Sequence, residues 1–224
     1  MIVYGRNPVR EAVRGPRRVL RAWAARPLDW LEAQQADADE ITRICGSREH
    51  QGVCAEVEPY RYADAGTLLE AEDALVVALD EVQDPHNLGA VCRVAEVAGA
   101  AGIVIPERRS AEVTPATCKA SAGAVEHLPV ARVRNLADWL GEAKEAGAWV
   151  YGAAPDGVPY GQPDYAGRVV LVLGAEGKGL RPRVSGACDA LVALPVRGRV
   201  ESLNVSTAAA ALVYGILQFR VQSP

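Results

Sequence analysis

Three kinds of pattern are missing from this chain of 224 residues, and each absence excludes a class of protein. No apolar run approaches the ~20 residues that a membrane-spanning helix needs, and the N-terminus lacks the apolar core of a signal peptide. The five cysteines, at positions 45, 54, 92, 118 and 188, form no C-x-x-C pair, and the three histidines have no metal-ligand spacing. We therefore expect a cytoplasmic protein with reduced thiols, no membrane association and no metal site.

The net charge of −4 hides an asymmetry between the first two segments of the chain. Residues 1–26 carry seven arginines and one acid, a local charge of +6, whereas residues 29–40 carry five acids and no base. Arg6, Arg10 and Arg14 recur every four residues and would share one face of a helix, as a surface for phosphate groups requires. The chain has 21 arginines and only three lysines, however, so arginine is also simply its usual cation. Charge alone leaves both interpretations open.

The first 60 residues have the pattern of a small separate unit. Residues 10–25 indicate a helix followed by a strand, residues 31–38 a helix, and residues 51–57, which alternate between apolar and polar, a strand. Pro59 closes this unit. The following residues, 61–73, are typical of a linker that leads into a short helix.

From residue 74 to residue 224 the pattern changes to strands that alternate with helices. One of the helices would turn Leu136, Trp139, Leu140 and Ala143 inward. The strands are expected over residues 74–79, 102–106, 129–133, 149–151, 168–173 and 189–194, with a Gly/Pro-rich loop over 153–167. This alternation predicts an α/β domain with a parallel sheet, helices on both faces, and ligands bound where strand ends lead into helices.

The first loop with unusual polar residues follows the strand that ends at Leu79. Asn87 stands where the next helix is expected to begin and is a candidate N-cap. Gly89, Arg93 and Glu96 would lie on the face turned away from the apolar stripe. Two interpretations remain: an exposed Arg93–Glu96 ion pair, or an arginine that reaches over the strand ends towards a phosphate.

The second loop, LGAEGKGL at residues 173–180, follows the most apolar strand of the chain. Three glycines in six residues indicate a tight turn or a close approach of the backbone to a ligand. The loop is neither a G-x-G-x-x-G fingerprint nor a P-loop, because no Ser or Thr follows Lys178. Since Glu176 would repel a pyrophosphate, a ligand with hydroxyl groups or a cationic centre fits better.

The third stretch runs from Leu194 into an alanine-rich helix. Ser202, Asn204 and Ser206 stand where that helix begins, and each is a good N-cap residue. They are consistent either with a well-capped buried helix or with a polar pocket over a positive helix end, suited to a carboxylate or phosphate. No candidate His base, Cys–His pair or metal cluster accompanies the three loops.

The three loops together resemble the signature motifs of the SpoU/TrmH family, S-adenosylmethionine-dependent RNA 2′-O-ribose methyltransferases of the SPOUT superfamily. The matching segments are NLGAVCR at residues 87–93, LGAEGKGLRP at 173–182 and LPVRGRVESLNVS at 194–206. YGRNPVREA at 4–12 and HQGV at 50–53 are also similar to the substrate-binding domain of the branch that methylates guanosine in 23S rRNA. That domain has the fold of a ribosomal protein of the L30e type.

The resemblance implies an architecture that the strand pattern alone does not. Residues 1–60 would form the L30e-like RNA-binding domain, 61–73 the linker and 74–224 the methyltransferase domain, whose C-terminal segment forms a deep trefoil knot. Members of the family are homodimers with active sites at the subunit interface. The run Ala208–Ala211 would permit close helix packing there.

The resemblance also implies roles for individual residues. Residues expected to bind S-adenosylmethionine are Gly174, Gly177, Gly179, Leu194, Val196 and Leu203. Residues expected around the reacting centre are Asn87, Arg93, Glu176, Ser202 and Asn204. Residues expected to contact RNA phosphates are Arg6, Arg10, Arg14, Arg17 and Arg18. Because a guanidinium stays protonated, we expect Arg93 to hold a phosphate and orient the 2′-hydroxyl rather than act as a base, with Glu176 and Asn204 fixing it.

One position departs from the family pattern, and three alternative functions remain. The third motif usually reads Ile-Pro-Met, whereas this chain has Leu194-Pro195-Val196. The substrate could instead be tRNA or an antibiotic-sensitive rRNA loop, and a non-catalytic RNA-binding factor would keep the same fold. A dinucleotide-dependent oxidoreductase also uses a parallel sheet, but the missing G-x-G-x-x-G argues against it.

Overall fold

The computed structural model describes residues 1–200 and 202–222. Its N-terminal sheet consists of β1 (Ile2–Tyr4), β2 (Val19–Ala24), β3 (Gln34–Gln35) and β4 (Val53–Val57), in the order β1-β4-β2-β3. β4 runs antiparallel to β1 and β2, whereas β3 runs parallel to β2. Two helices accompany the sheet, α1 (Arg6–Arg14) and α2 (Ala38–Cys45). The helix and strand predicted within residues 10–25 and the strand predicted at 51–57 are confirmed, with shifted boundaries.

The helix predicted over residues 31–38 is wrong. Gln34 pairs with Trp23 in β3, and the helix starts only at Ala38. The physical reason is the cap at Asp37, whose side chain accepts a hydrogen bond of 2.8 Å from the backbone N–H of Glu40. A cap of this kind fixes the first turn of a helix more strongly than the apolar spacing upstream of it.

The second sheet has six strands, and every neighbouring pair is parallel. The strands are β5 (Leu75–Asp80), β6 (Gly102–Pro106), β7 (Val130–Val133), β8 (Trp149–Pro159), β9 (Val169–Gly174) and β10 (Ala190–Ala193), in the order β10-β8-β9-β5-β6-β7. All six lie where the sequence predicts a strand. The prediction of a parallel α/β sheet is confirmed.

β8 is longer than predicted, because it takes in residues that were expected to belong to the loop at 153–167. Its second half pairs with the end of β10, with Val158 opposite Val192 after a shift of register. The shift brings the backbone of Leu191 and Val192 so close to Gly157 that a Cβ there would lie 2.5 Å from it. The Gly and Pro residues therefore mark an irregular strand rather than a loop.

Helices cover both faces of the large sheet, as predicted. They are α3 (Pro85–Val97), α4 (Pro115–Ala120), α5 (Leu136–Glu145), α6 (Pro182–Ala187) and α7 (Val205–Gln222), with 3₁₀ turns at Thr67–Leu69 and Ala124–Glu126. Alternate residues of β5 point to opposite faces. Val77 packs in one core with α3, α4 and α7, and Val76 in another with α5 and α6. Among the described residues, no helix is long and apolar enough to cross a membrane.

The two sheets are joined by a buried contact centred on Arg17. The core that contains α3 and α7 continues into the N-terminal sheet through Val3 and Val9. At this boundary the Arg17 guanidinium, with 7% of its side chain exposed, forms an ion pair with the fully buried Glu126 carboxylate and donates to the carbonyl oxygen of Glu58 at 3.1 Å. Arg17 was expected to contact RNA; that expectation is wrong, because the side chain is used inside the protein.

Candidate active site

One polar residue from each of the three loops, Asn87, Glu176 and Asn204, meets the other two at the carboxyl edge of the large sheet. The Asn87 side chain donates to Glu176 Oε1 at 3.1 Å. The Asn204 side chain donates to the same oxygen and, at 3.0 Å, to Asn87 Oδ1. These three residues, called the polar cluster below, come from α3, from the loop after β9 and from the start of α7. Asn87 therefore meets Glu176, which lies 89 positions further along the sequence, and Asn204, which lies 117 positions further along, at one point.

Two of the expected helix caps are corrected by the structure. α3 begins at Pro85, and its N-cap is Asp84, which accepts from the N–H of His86 at 2.9 Å; Asn87 lies inside the first turn. At α7 the cap is Asn204, which accepts from the N–H groups of Ser206 and Thr207 at 2.9 and 3.4 Å. The Ser206 hydroxyl donates to the same oxygen at 2.6 Å, so Ser206 supports the cap instead of providing it.

A cavity of about 640 Å³ opens beside the polar cluster, between the loop after β9 and the segment that follows β10. It lies within the range of about 300–1,000 Å³ that small-ligand pockets occupy. The residues expected to bind a cofactor all line it: Gly174, Gly177, Gly179, Leu194, Val196 and Leu203. Glu176 and Ser202 line it as well. Its wall therefore combines apolar side chains, exposed backbone, the Glu176 carboxylate and two cationic residues, Lys178 and Arg197.

The glycine-rich loop forms its side of the cavity because backbone approaches backbone there. A Cβ on Gly174 would lie 2.2 Å from the carbonyl carbon of Gly179, so no larger residue fits without moving the loop. Gly177 and Gly179 have φ of 72° and 65°, values that favour glycine. The three glycines thus keep peptide groups at the cavity wall, where they can bind the polar atoms of a nucleoside.

We expect Gly174→Ala to weaken S-adenosylmethionine binding by roughly ten- to a hundredfold, because the clash costs about 1–3 kcal/mol to relieve. Isothermal titration calorimetry measures the effect, and a thermal melt shows whether the fold survives. Leu203→Asp is a second test that spares the core, since Leu203 lines the cavity and is 52% exposed. Unchanged affinity in both variants would contradict the assignment of this cavity.

Arg93 and Ser202 are not part of the polar cluster. Arg93 is exposed on α3 and forms no ion pair with Glu96 or any other described residue. Six residues separate it from Asn87, which places it about 9 Å along the helix and about 120° around it. Glu176 and Asn204 therefore do not fix Arg93 within one chain, contrary to the expectation. Ser202 is exposed at the cavity and has no hydrogen-bond partner among the described residues.

Sequence reasoning missed a buried ion pair that anchors the glycine-rich loop. Asp80, the last residue of β5, is fully buried, and Arg181 donates to it from its backbone N–H at 2.8 Å and from Nε at 2.7 Å. The loop after β9 is thereby tied to the neighbouring strand. An acid at the end of an otherwise apolar strand was the available signal, because such a residue is buried only with a partner.

The arginines of the N-terminal segment that were expected to bind phosphates are far from the polar cluster in the sequence, and they belong to the unit built around the N-terminal sheet. Arg6, Arg14 and Arg18 are exposed, while Arg10 lies 5.1 Å from the ring centre of Trp30. Arg6, Arg10 and Arg14 belong to α1, as their spacing predicted. Arg17 is buried, so the other four candidates, Arg6, Arg10, Arg14 and Arg18, are the ones that remain accessible to a ligand.

The chemistry of the described residues favours binding and orientation over nucleophilic catalysis. Burial raises the pKa of the Cys118 and Cys188 thiols to about 11, so both are protonated at neutral pH. Burial likewise raises the pKa of Cys54 and Cys92. The described part of the chain contains no group of three or more His, Cys, Asp or Glu residues that could hold a metal ion.

Comparisons with known proteins agree with this geometry. Residues 74–214 match the SpoU rRNA Methylase family, and residues 2–63 match the RNA 2′-O ribose methyltransferase substrate-binding family. The chain is 41% identical over 237 residues to the putative TrmH family tRNA/rRNA methyltransferase YacO of Bacillus subtilis, which covers 97% of this chain and 95% of that protein.

Two solved structures extend the comparison to a bound cofactor. The SpoU methyltransferase AviRb from Streptomyces viridochromogenes in complex with AdoMet is 26% identical, with a TM-score of 0.85 over 100% of this chain and 91% of that one. The AdoMet-bound rRNA methyltransferase from Sinorhizobium meliloti is 27% identical, with a TM-score of 0.84 over 97% and 86% of the two chains. Proteins with this fold therefore bind AdoMet in those two structures.

Proposed function

The chain belongs to the SpoU rRNA methylase family and is an RNA methyltransferase, and we propose that it transfers a methyl group from S-adenosylmethionine to a ribose 2′-hydroxyl of 23S rRNA, at a guanosine. The observation that carries this proposal is the meeting of the polar cluster with a cavity of cofactor size at one edge of the sheet. The family match over residues 2–63, to a domain that binds RNA, supports RNA as the substrate.

The residues around the cavity fit S-adenosylmethionine. Leu194, Val196 and Leu203 offer apolar contacts to a nucleoside, and the loop at Gly174 offers backbone N–H and carbonyl groups. Glu176 places one negative charge beside the sulfonium of such a ligand, and the cationic Lys178 and Arg197 can face its carboxylate. Val196 replaces the usual Met with a shorter apolar side chain and keeps the wall apolar. We also propose that the C-terminal segment forms a knot. In support of this, the loop after β9 and the segment after β10 face each other across the cavity.

S-adenosylmethionine, when bound, supplies an activated methyl group, so the chain itself mainly has to orient the acceptor oxygen. The hydrogen bonds of Asn87 and Asn204 hold the Glu176 carboxylate in place beside the cavity. Arg93, with its forked donors unoccupied, holds an RNA phosphate and orients the 2′-hydroxyl. The proton of that hydroxyl leaves to the phosphate or to water, because a guanidinium cannot accept it. Ser202 is assigned a contact with the substrate.

The position of Arg93 supports a homodimer with sites shared between two chains. Arg93 is exposed on α3, about 120° around the helix from Asn87, and contacts no member of the polar cluster by hydrogen bond or ion pair, so we assign it to the cavity of a second chain. α3 and α7 pack together, and their outer faces expose large apolar side chains: Val97 is 66%, Tyr214 48% and Val221 86% exposed. A dimer interface over α3 and α7 would remove these side chains from water. Within the alanine run, Ala209 is buried in one chain, whereas Ala211 is exposed.

The division of the chain and the choice of rRNA as the substrate are part of the same proposal. We propose residues 1–60 as the RNA-binding domain, 61–73 as the linker and 74–224 as the methyltransferase domain, acting in the cytoplasm where rRNA is modified. The 2′-hydroxyl distinguishes RNA from DNA, and an accessible loop nucleotide is easier to present than one within a helix. Arg6, Arg10, Arg14 and Arg18 are proposed to hold flanking phosphates.

Incubation with labelled S-adenosylmethionine tests the proposed function directly. The protein is mixed with unmodified transcripts of 23S rRNA and, separately, of tRNA, and the methylated ribose is mapped. We expect one labelled guanosine in 23S rRNA. Label in tRNA alone would show that tRNA, and not 23S rRNA, is the substrate. If no label appears in either transcript or in total RNA from cells lacking the protein, the result would favour a non-catalytic RNA-binding factor.

A further inference from the structure

A second cavity, larger than the cofactor site, lies at the same edge of the sheet and is lined by arginines. We call it the arginine groove; it has a volume of about 1,390 Å³ and is bordered by Arg108, Arg109, Arg132, Arg134, Arg181 and Arg183. These residues follow β6, belong to or follow β7, and stand at the start of α6. The floor is apolar and includes Trp139 and Val184, which are 4% and 1% exposed.

Several of these guanidinium groups are available to a ligand. Arg108 and Arg134 are exposed and have no ion pair or hydrogen bond with any described residue. Arg109 and Arg183, with 75% and 80% of their side chains exposed, have only contacts of 3.6 Å to Glu81 and 3.4 Å to Asp138. Exposed pairs at such distances contribute little and are easily exchanged for another anion.

Carboxylates also border the groove, and most of them have partners. Glu81, which is only 14% exposed, lies between Arg109 and Arg181. Asp138 contacts Arg183, and Asp64 accepts the N–H of Gly66 at 2.8 Å. Glu107 and Glu142 complete the set and are exposed. Six arginines and five carboxylates give the lining a net charge of only +1. The arginines without a partner, Arg108 and Arg134, follow neighbouring strands, since Pro106 pairs with Val133. Asp64, Glu107 and Glu142 likewise have no ion pair among the described residues, so phosphate binding depends on the local placement of these two guanidinium groups.

The arginine groove adjoins the reaction site. The loop after β9 separates the two cavities, since residues 173–179 line the cofactor cavity and residues 181–184 line the groove. At its other end the groove is bordered by residues 63–66, in the linker from the N-terminal domain. It lies on the side of α5 and α6, away from the face of α3 and α7 that is assigned to the dimer. A second chain there would leave it open.

We propose that the arginine groove binds the phosphates of the RNA substrate next to the methylated nucleotide, as a second RNA contact besides the N-terminal arginines. The proposal rests on RNA being the substrate. The volume exceeds what small-ligand pockets offer, which favours a strand over a nucleotide or free phosphate. Forked guanidinium donors above an apolar floor suit phosphate oxygens and sugar faces together. The groove then guides RNA from the linker towards the cofactor loop.

The double substitution Arg108→Gln/Arg134→Gln in the full chain tests this proposal. Filter binding to an unmodified 23S rRNA transcript is measured between 50 and 200 mM KCl. Each lost phosphate contact lowers the slope of log affinity against log salt by about 0.7–0.9, so we expect a decrease of about 1.4–1.8 and a tenfold or greater loss of affinity at low salt. Calorimetric S-adenosylmethionine affinity and the melting temperature remain unchanged.

Arg108→Lys/Arg134→Lys is the matched control, because it keeps both positive charges at the same two positions of the groove. Since the salt slope depends on the charges that contact phosphates, we expect that slope to stay close to the wild-type value in the control. Wild-type slope and affinity in the groove variant, or an equal loss in the control, would overturn the proposal. If the wild type methylates no RNA but the groove variant still loses RNA affinity, the proposed function fails and the groove stands.

Discussion

Arg93→Ala is expected to lower methyl transfer by about 10²–10³-fold while leaving S-adenosylmethionine binding and thermal stability unchanged. Arg93 is exposed and forms no hydrogen bond or ion pair with any described residue, so its removal should cost little in folding. It does not line the cofactor cavity, so the donor still binds. The loss therefore appears in single-turnover transfer to RNA, whereas calorimetry with the cofactor is unaffected.

A comparison with Arg93→Lys separates the two possible roles of the side chain. Lysine keeps the charge but loses the fork, so a phosphate clamp predicts intermediate activity with an unchanged pH profile. A base predicts recovery at high pH, where the lysine becomes neutral and can accept a proton. Near-normal activity in Arg93→Ala would contradict both roles.

The assignment of Arg93 to a second chain has its own test. Arg93→Ala and Gly174→Ala subunits, carrying different tags, are co-expressed, and the mixed dimers are isolated. If each site takes Arg93 from one chain and the cavity from the other, one of two sites is intact and the mixed dimer keeps about half of the wild-type activity, as two-fold symmetry requires. If Arg93 serves the cavity of its own chain, both sites are defective and the mixed dimer is as inactive as either parent.

The sequence could predict the large sheet because its strands consist mostly of apolar residues and alternate with amphipathic helices, signals that tertiary context rarely overrides. All six strands of that sheet were predicted for this reason. The residues that meet at the site could be grouped only through the family resemblance. Nothing local to Asn87, Glu176 or Asn204 indicates that their side chains share hydrogen bonds across as many as 117 positions.

The failures have a common physical origin, which is that single residues were interpreted without their partners. The arginines of the N-terminal segment look alike in sequence, yet burial against Glu126 separates Arg17 from the exposed Arg14. Asp80 and Arg181 were missed because an ion pair 101 positions apart leaves no periodic signal. The helix predicted at 31–38 failed because apolar spacing was weighed above the cap at Asp37.

The Arg17–Glu126 pair carries the largest expected effect on stability. Arg17→Ala leaves the fully buried Glu126 carboxylate without its counter-charge, which costs about 3–5 kcal/mol for a buried pair broken on one side. In a chain of this length the melting temperature is expected to fall by roughly 6–20 °C. Urea unfolding at pH 7 measures the free energy directly.

Variants of the partner and of an exposed pair make this prediction specific. Arg14→Ala removes a pair with Glu11 in which 64% of the arginine side chain is exposed, so its effect should stay within about 1 kcal/mol. Arg17→Met/Glu126→Leu removes both charges and is expected to recover most of the loss, because the cost lies in the unpaired charge and not in the missing attraction. A loss as large in the double variant as in Arg17→Ala would mean that the pair, and not the orphaned carboxylate, supplies the stability.

The pH dependence of the same contact follows from its charges. Burial acts to lower the pKa of the Arg17 guanidinium, but the hydrogen bond and charge of Glu126 outweigh it and hold that pKa above its ordinary value. A pKa that is raised on folding gives stability that is present in full below the unfolded value and lost only above it. Because that value lies above ~12 for arginine, the difference in unfolding free energy between wild type and Arg17→Ala should not shrink between pH 7 and pH 9 through titration of Arg17. A difference that does shrink over this interval would show that a group other than Arg17 gains or loses a proton at this contact, because neither the arginine charge nor the packing of its stem changes between pH 7 and pH 9.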